Sequence, residues 1–254
     1  MVNSSQVGTP SSENNPAFSY PVFLNGQECP PSAVRQCKPG GSVAHPCCAA
    51  LARGAKPWAT VPSNVLLVMI ILIPSFIFTL RHFILQRSVE HPDVTTKDAF
   101  LGYAFTTTFA FATTNVIKLS VAMPRPNHYS LMAVAAYVKN DHYAFDSRKS
   151  FPSGHSSLSM ATMLYTTLVL LHDIKTRTCP FVRHARFFFI TLAMIPVGIS
   201  IFVAVTRVIN YWHSTTDVLA GLCLGVLWGI VGHHHAVPGY EVLSVASPDR
   251  PKHV

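Results

Sequence analysis

Residues 58–80, which include the run Leu66-Leu-Val-Met-Ile-Ile-Leu-Ile, contain no charged residue. About 20 consecutive, mainly apolar residues in helical form are needed to cross the hydrocarbon core of a bilayer. The stretch therefore predicts a membrane-spanning helix that is closed by Arg81. Four further apolar runs predict spans, so the expected fold class is all-α, a polytopic membrane helical bundle with five spans. These runs are residues 99–117, 156–171, 187–206 and 218–232.

The composition favours a membrane protein and argues against a nucleic-acid partner. Of the 254 residues, 49% are hydrophobic and only 12% are charged, which is about half the charged content of a typical soluble domain. The formal net charge is +8, but the basic residues are scattered. The sequence has no basic run with interleaved aromatic residues of the kind that grips a nucleic acid. Membrane lipids are the partners that this charge indicates.

Three regions can be distinguished along the chain. Residues 1–57 are dominated by Ser, Asn, Pro and Gly, which predicts an irregular N-terminal tail. Residues 58–236 are expected to form the membrane domain, and residues 237–254 a polar C-terminal tail. The N-terminal tail holds an even number of cysteines, which favours disulfides if it faces an oxidising compartment. These cysteines are Cys29, Cys37, Cys47 and Cys48.

Polar residues lie at the junctions between the predicted spans. Lys118 follows the second span, and His155 precedes the third. Arg207 follows the fourth span, and Asp217 precedes the fifth. Because successive spans run in opposite directions, all four residues are expected at the same membrane face.

The stretch from Arg207 to Asp217 contains the first candidate site residues. His213 and Asp217 are four positions apart, and on a helix this spacing places both side chains on one face. The carboxylate could then accept the imidazole N–H and aim the ring as a nucleophile or base. Taken alone, the pair could equally be an ion pair at a helix end.

Two more stretches add groups that bind anions. Lys118 and Arg125 are seven positions apart, and prolines on both sides of Arg125 are expected to end the helix there. Ser153 and Gly154 open the third span, and the N-terminus of a helix attracts anions. Arg forks match phosphate oxygens, whereas Lys acts as a point charge. The three stretches together therefore indicate a phosphate site.

The motifs Lys-x6-Arg-Pro, Pro-Ser-Gly-His and Arg-x5-His-x3-Asp, in this order, resemble the signature of the type-2 phosphatidic acid phosphatase superfamily. The run that begins Ser153-Gly-His-Ser-Ser-Leu-Ser-Met is most similar to its lipid phosphate phosphatase branch. The resemblance covers about residues 60–235. It implies a helical membrane bundle that hydrolyses a phosphate monoester or diphosphate headgroup of a lipid, without a metal or cofactor.

The resemblance also implies a role for each site residue. His213 would attack phosphorus and form a phosphohistidine, while Asp217 would orient His213. His155 would protonate the leaving oxygen and then activate the water that releases phosphate. The residues implied to bind the phosphate are Lys118, Arg125, Ser153, Gly154 and Arg207.

Two departures from the family pattern stand out. The family usually has Ser before the arginine of the third motif, where this chain has Thr206; a hydroxyl is kept. Lipid phosphate phosphatases usually have six spans, whereas five are predicted here. The missing span corresponds to the first of the family, which contributes no motif residue. The cysteine-bearing tail stands in its place.

The distribution of basic residues predicts the orientation. The loops opposite the polar face are the richer in Lys and Arg, and such loops usually lie in the cytoplasm. The site is therefore expected on the extracellular or luminal face, together with the N-terminal tail. The basic residues of the opposite loops are Arg81, Arg87, Lys97, Lys175, Arg177, Arg183 and Arg186.

Several alternatives stay open at this point. Relatives within the superfamily act on polyprenyl diphosphates or sugar phosphates, or transfer lipid headgroups, and a non-catalytic protein that binds a membrane partner is a further option. The lipid used and self-association into a homo-oligomer are also open. Aromatic residues between the first two motifs could line an acyl-chain entrance or pack the loop down. These are Tyr129, Tyr137, Tyr143 and Phe145.

Overall fold

The computed structural model describes residues 20–24, 27–38, 45–52, 57–86, 94–176 and 184–237, with the side chains of residues 85 and 86 excepted. Within these residues the chain is almost wholly helical, as the sequence predicts. The strands are β1 (Val22–Leu24) and β2 (Gln27–Cys29). The shorter helices are α1 (Pro31–Gln36), α2 (Pro46–Ala52), α5 (His128–Val138), α6 (Asp141–Asp146) and α8 (Arg186–Ala193). The longer helices are α3 (Ser63–Gln86), α4 (Thr96–Val121), α7 (Gly154–Thr176), α9 (Ile195–Ile209) and α10 (Thr215–Ala236).

Four helical segments of the described chain are long and apolar enough to cross a membrane: Ser63–Ile84, Gly154–Thr176, Arg186–Ile209 and Thr215–Ala236. The protein is thus an all-α integral membrane protein, as predicted. Five spans were predicted, but only four such segments are found in the described residues. The second predicted span, within α4, is less apolar than the other four. Helix α4 is long enough, with 26 residues, and the span within it has no charged residue, but it contains five threonines and Asn115.

Helix ends follow the prolines of the sequence. Helix α4 ends at Val121, before Pro124 and its neighbour Arg125. In the fourth predicted span the helix is interrupted at Met194, two residues before Pro196. Proline cannot donate the backbone hydrogen bond that a continuing helix needs, which accounts for both breaks. The one before Arg125 agrees with the sequence-based expectation.

The chain forms two compact units. The first comprises the residues up to Pro62, Val116–Ser153 and Ala204–Ala220. The second comprises Ser63–Asn115, Gly154–Val203 and the residues from Gly221 onward.

Apolar packing and hydroxyl back-bonding dominate the second unit. Tyr165 and Phe78 are fully buried, and the Tyr165 hydroxyl donates to the Ala99 carbonyl over 2.8 Å. Threonine hydroxyls bond back to their own helix: Thr106 donates to the Gly102 carbonyl over 2.7 Å. Satisfying hydroxyls in this way lets polar residues lie in an apolar helix.

An ion pair and a close glycine contact complete the second unit. Arg81 donates to both carboxylate oxygens of Asp173, over 2.6 and 2.9 Å, and to the Val94 carbonyl over 2.6 Å. A Cβ atom at Gly225 would lie 2.6 Å from the Ser157 carbonyl oxygen. Only glycine allows the backbone of α10 to approach α7 so closely.

The N-terminal residues of the first unit are more regular than the predicted tail. Strands β1 and β2 pair antiparallel, with Val22 opposite Cys29. Disulfides join Cys29 to Cys47 and Cys37 to Cys48. The paired cysteines are buried in a small apolar core with side chains of α5. Cross-links of this kind stabilise segments too small for a large core, which is why a composition typical of loops still gives regular structure. The C-terminal tail after residue 237 lies outside the described residues.

Candidate active site

Backbone hydrogen bonds hold the three motifs together in the first unit. The Ser150 amide, two residues before the second motif, donates to the Met123 carbonyl of the first motif over 2.9 Å. The Ser153 amide donates to the Asp217 carbonyl over 2.9 Å, which joins the second motif to the third. Segments far apart in sequence therefore meet at one place.

The structure brings six of the eight predicted site residues together in the first unit: Lys118, Arg125, Ser153, Arg207, His213 and Asp217. All of these except Lys118 are buried. The other two, Gly154 and His155, directly follow Ser153 and begin helix α7 in the second unit.

Arg125 is held from several sides. Its Nε donates to the Asp146 carbonyl over 2.8 Å, and its Nη2 to the Asp146 carboxylate over 3.0 Å. Its Nη1 donates to the Trp212 carbonyl over 3.2 Å and lies 3.3 Å from Nε2 of His213. A guanidinium fixed in this way keeps its planar fork in one orientation.

Trp212 connects the two arginines of the site. The guanidinium of Arg125 lies 5.0 Å from the centre of the indole ring, and that of Arg207 lies 5.5 Å from it. Cations over an indole face are attracted by its ring electrons. Arg207 also donates from Nη1 to the Val61 carbonyl over 2.9 Å. The indole thus keeps two positive charges near each other.

Lys118 points its ammonium group toward the second motif. It donates to the carbonyls of Lys149 and Pro152 over 3.0 and 2.9 Å. Burial lowers the pKa of Lys118 from its usual 10.5 to about 8, and the nearby positive charge of Arg125 acts in the same direction. The ammonium group therefore loses its proton more easily than an exposed lysine does.

His213 has the protonation that a nucleophile requires. Because a guanidinium only donates hydrogen bonds, Nε2 of His213 accepts from Arg125, and the ring proton lies on Nδ1. Burial lowers the pKa of His213 well below its usual 6.5; Asp217 opposes the shift, and the cations Arg125 and Lys118 add to it. The imidazole is thus neutral near pH 7, with its Nε2 lone pair facing the cations.

The pairing of His213 with Asp217 differs from the sequence-based prediction. His213 precedes helix α10, which begins at Thr215, so the two residues do not share a helical face. Nδ1 of His213 nevertheless lies 3.8 Å from Oδ2 of Asp217, because the chain turns between them. The distance is too long for a direct hydrogen bond, and the neutral imidazole forms no ion pair with the carboxylate near pH 7.

Ser150 completes this pair. Its hydroxyl donates to Oδ2 of Asp217 over 2.5 Å and lies 3.5 Å from Nδ1 of His213. The hydroxyl therefore contacts both members and fixes the carboxylate that faces the imidazole.

Asp217 also fixes the start of helix α10. Its carboxylate accepts the Ser214 amide over 2.9 Å, and the Ser214 hydroxyl accepts the Asp217 amide over 3.2 Å. This reciprocal capping satisfies two amides that the helix leaves unpaired. The same carboxylate thus sets both the helix start and the environment of His213.

A cavity of about 400 Å³ opens onto His213 and Asp217. One side is polar and consists of residues from the start of α10. The other side is apolar and includes Tyr20, Tyr211 and Met123. Within the described residues, the four loop aromatics proposed as an acyl-chain entrance do not line this cavity. Two of them pack on the first unit's apolar core instead, namely Tyr137 and Tyr143.

Sequence reasoning missed three residues that contact the site: Asp146, Ser150 and Trp212. Ser150 lies three residues before Ser153, and Trp212 lies one residue before His213. Their closeness to the motif residues could therefore have identified them as site residues. Asp146 had no such signal, because its contact with Arg125 spans 21 residues.

Chemically, the arrangement suits the binding of an anion that contains an atom open to nucleophilic attack. Three cations lie in one unit with a neutral imidazole whose nucleophilic nitrogen accepts from one of them. Buried, preorganised donors stabilise the charge that develops during phosphoryl transfer.

Comparisons with known proteins agree with this geometry. The family model described as "PAP2 superfamily" matches residues 99–237. The chain is similar to "Probable lipid phosphate phosphatase 4" of Arabidopsis thaliana, with 30% identity over 193 residues, covering 70% of this chain and 59% of that protein. It is similar to "Lipid phosphate phosphatase 1" of the same plant, with 31% identity over 185 residues, covering 66% and 52%.

A further relative is "Phospholipid phosphatase 1" of Rattus norvegicus, with 28% identity over 156 residues, covering 56% of this chain and 53% of that protein. The chain spans between about half and three fifths of the length of these relatives. No solved structure matches it.

Proposed function

The chain belongs to the PAP2 superfamily, and on that premise we propose that it is a lipid phosphate phosphatase that hydrolyses a phosphate monoester or diphosphate headgroup, phosphatidate-like, at the membrane surface. The observation that carries the proposal is the neutral His213, whose Nε2 accepts a hydrogen bond from Arg125 inside a cluster of cations. The relatives named lipid phosphate phosphatases support the same substrate class.

The proposed reaction has two steps. Nε2 of His213 attacks phosphorus, the bond from phosphorus to the lipid oxygen breaks, and His155 gives its proton to that oxygen. His155 then takes a proton from water, whose oxygen attacks the phosphohistidine and releases inorganic phosphate. His213 returns to its neutral form, so protons and charges balance over the cycle.

The charge that builds on the phosphoryl oxygens is met by the protein itself. Arg125 and Arg207 supply fixed forks, and Lys118 a point charge. The amides at Ser153 and Gly154 add donors at the start of α7. Asp217 orients His213 and stabilises the imidazolium character that develops as the bond to phosphorus forms. The proposed chemistry is therefore independent of a metal.

We also propose that the site faces the lumen or the outside of the cell. The excess of basic residues in the opposite loops supports this orientation. Two disulfides in the same unit as the site support it as well, because disulfides persist in oxidising compartments.

Phosphate release from phosphatidate in detergent micelles tests the function. With EDTA present, the wild-type chain is expected to release phosphate and to be inhibited by vanadate. His213→Ala is expected to abolish release at an unchanged protein level. His142→Ala, which alters an exposed histidine of α6 in the same unit, serves as the matched control and is expected to remain active.

Two results would overturn the proposal. One is full activity of His213→Ala, and the other is a wild-type chain that acts only when a divalent metal is added. A panel with a polyprenyl diphosphate and a sugar phosphate separates the alternatives within the superfamily. Strict preference for the water-soluble sugar phosphate would defeat the lipid assignment.

A further inference from the structure

The disulfide-linked segment at the N-terminus contacts the third motif directly. By "disulfide segment" we mean the described residues from Tyr20 to Pro62, all of which belong to the first unit. Its hydrogen bonds to the third motif are Arg207 Nη1 to the Val61 carbonyl (2.9 Å), the Thr60 amide to Asn210 Oδ1 (2.9 Å) and Trp212 Nε1 to the Trp58 carbonyl (3.2 Å).

Aromatic rings extend this contact toward the cavity. The ring of Tyr211 stacks with that of Tyr20, with centroids 5.0 Å apart, and with that of Phe23, with centroids 6.2 Å apart. Tyr211 has a positive φ of 57°, a conformation that costs a residue with a side chain of order 1–3 kcal/mol. Stacking on the disulfide segment helps to hold the ring in this unfavourable backbone position.

Tyr20 is anchored where it can contact a substrate. Its carbonyl accepts the Ser130 hydroxyl of α5 over 2.8 Å, while 40% of the residue surface is exposed. Tyr20 and Tyr211 line the cavity that also reaches His213. A cavity of about 400 Å³ is in the size range that takes a small organic molecule rather than a phosphate ion alone.

We infer that the disulfide segment forms one wall of the substrate site, and that Tyr20 is a specificity-determining residue that contacts the glycerol and first acyl carbons of a lipid phosphate. This inference rests on the proposed function. With the phosphate among the cations and its phosphorus at His213, the esterified group extends into the cavity. The rings of Tyr20 and Tyr211, which we call the aromatic wall, then shield the apolar surface of that group from water. This burial stabilises the bound lipid.

Steady-state kinetics of the full chain in detergent test the inference with two readouts. The first is kcat/KM for dioctanoyl phosphatidate, and the second is the inhibition constant of inorganic phosphate, which does not extend to the aromatic wall. Tyr20→Ala is expected to lower kcat/KM about tenfold and to change the inhibition constant less than about twofold. Tyr20→Phe keeps the ring and is expected to behave like the wild type.

Tyr129→Ala is the matched control, because this tyrosine lies under Arg35, with the guanidinium carbon 5.6 Å from the ring centre, and is not part of the cavity wall. It is expected to leave both readouts unchanged. An unchanged kcat/KM in Tyr20→Ala, or an equal loss of phosphate inhibition and of lipid turnover, would overturn the inference alone. A wild-type chain that hydrolyses no phosphate ester would overturn the proposed function and this inference with it.

Discussion

The two compact units of the chain differ in how they satisfy their buried polar groups. In the second unit a buried hydroxyl bonds to its own helix, as Thr106 does with the Gly102 carbonyl. In the first unit buried groups bond to distant segments, as Arg125 does with Asp146 and Trp212. The second unit thus satisfies many of its hydroxyls within one helix, with Tyr165 and Arg81 as exceptions that bond to distant segments. The charged groups of the first unit depend on contacts between segments far apart in sequence.

This difference predicts which substitutions should change turnover and which should change the free energy of unfolding. Side chains of the first unit hold the cations and the imidazole of the proposed site in fixed positions, so their loss should act on turnover. Side chains of the second unit other than His155, which is proposed to transfer protons, mainly pack helices, so their loss should act on unfolding. Each prediction below tests this division, from the largest expected change in turnover to the smallest.

Removal of the central arginine should have the largest effect. Arg125→Ala is expected to lower kcat/KM for phosphatidate by about 10²–10³-fold, as loss of one fixed donor to a developing oxyanion does. Arg148→Ala removes an exposed arginine of the same unit and is expected to change kcat/KM less than about twofold. Equal losses of kcat/KM in the two variants would show that the buried position of Arg125 gives it no special role in turnover. That result would contradict the division between the two units.

Loss of the Ser150 hydroxyl should be milder. Ser150→Ala removes the donor to Asp217, and a hydrogen bond to a charged group contributes about 1.5–3 kcal/mol. We expect kcat to fall by about 10- to 100-fold, since 1.4 kcal/mol corresponds to a factor of ten. Stopped assays of phosphate release measure the change.

The control for this prediction is Ser120→Ala, because the Ser120 hydroxyl bonds only to its own helix on an exposed surface. It should have wild-type kcat. If Ser150→Ala is equally active, the hydroxyl does not position the carboxylate beside His213.

The pH dependence of the wild type should report Lys118. Its pKa in the folded chain is about 8 instead of 10.5, so its positive charge is lost as the pH rises through about 8. Because this charge is proposed to bind the phosphate, kcat/KM should fall about fivefold between pH 8 and pH 9.

Lys118→Arg keeps a positive charge to higher pH and should move this fall upward. The profile of kcat/KM, rather than of kcat, is the correct measurement, because it reports groups of the free enzyme. Identical alkaline limbs in wild type and variant would assign the fall to another group.

A variant of the second unit should leave turnover nearly unchanged. Arg81→Ala strands the carboxylate of Asp173, whose side chain is 12% exposed. Removal of one partner from a fully buried ion pair costs about 3–5 kcal/mol, and the partial exposure of Asp173 lowers this cost. We expect the midpoint of thermal unfolding in detergent to fall by several degrees, while kcat per folded molecule changes less than about twofold.

Arg186→Ala, at an exposed position of the same unit, is the control and should leave the unfolding midpoint unchanged. A large loss of kcat in correctly folded Arg81→Ala would mean that the second unit shapes the chemistry more than its contacts suggest.

Much of the helical framework could be predicted from local sequence. Runs of apolar residues identified the membrane helices, and Pro124 and Pro196 marked breaks. The ends were less accurate. Arg81 was expected to close the first span, but helix α3 continues to Gln86, and the guanidinium pairs with Asp173. A partner 92 positions away leaves no local pattern.

The site was predictable to the extent that its residues belong to motifs. The motif residues of the first unit meet as the motif spacing suggested, whereas the helical explanation for the pairing of His213 with Asp217 was wrong. The part played by Tyr20 could not be foreseen, because Tyr211 lies far from it in sequence. A cysteine-rich segment without regular periodicity also gives no local signal for its disulfide pairs.

Rapid quenching with ³²P-labelled phosphatidate tests the central claim most directly, because it detects the bond between phosphorus and His213. The account predicts a radiolabelled chain whose label is stable to base and labile to acid, and whose labelled peptide contains His213. The label should be absent from His213→Ala. Phosphate release by the wild type without any labelled chain, or a label that persists in His213→Ala, would contradict the account.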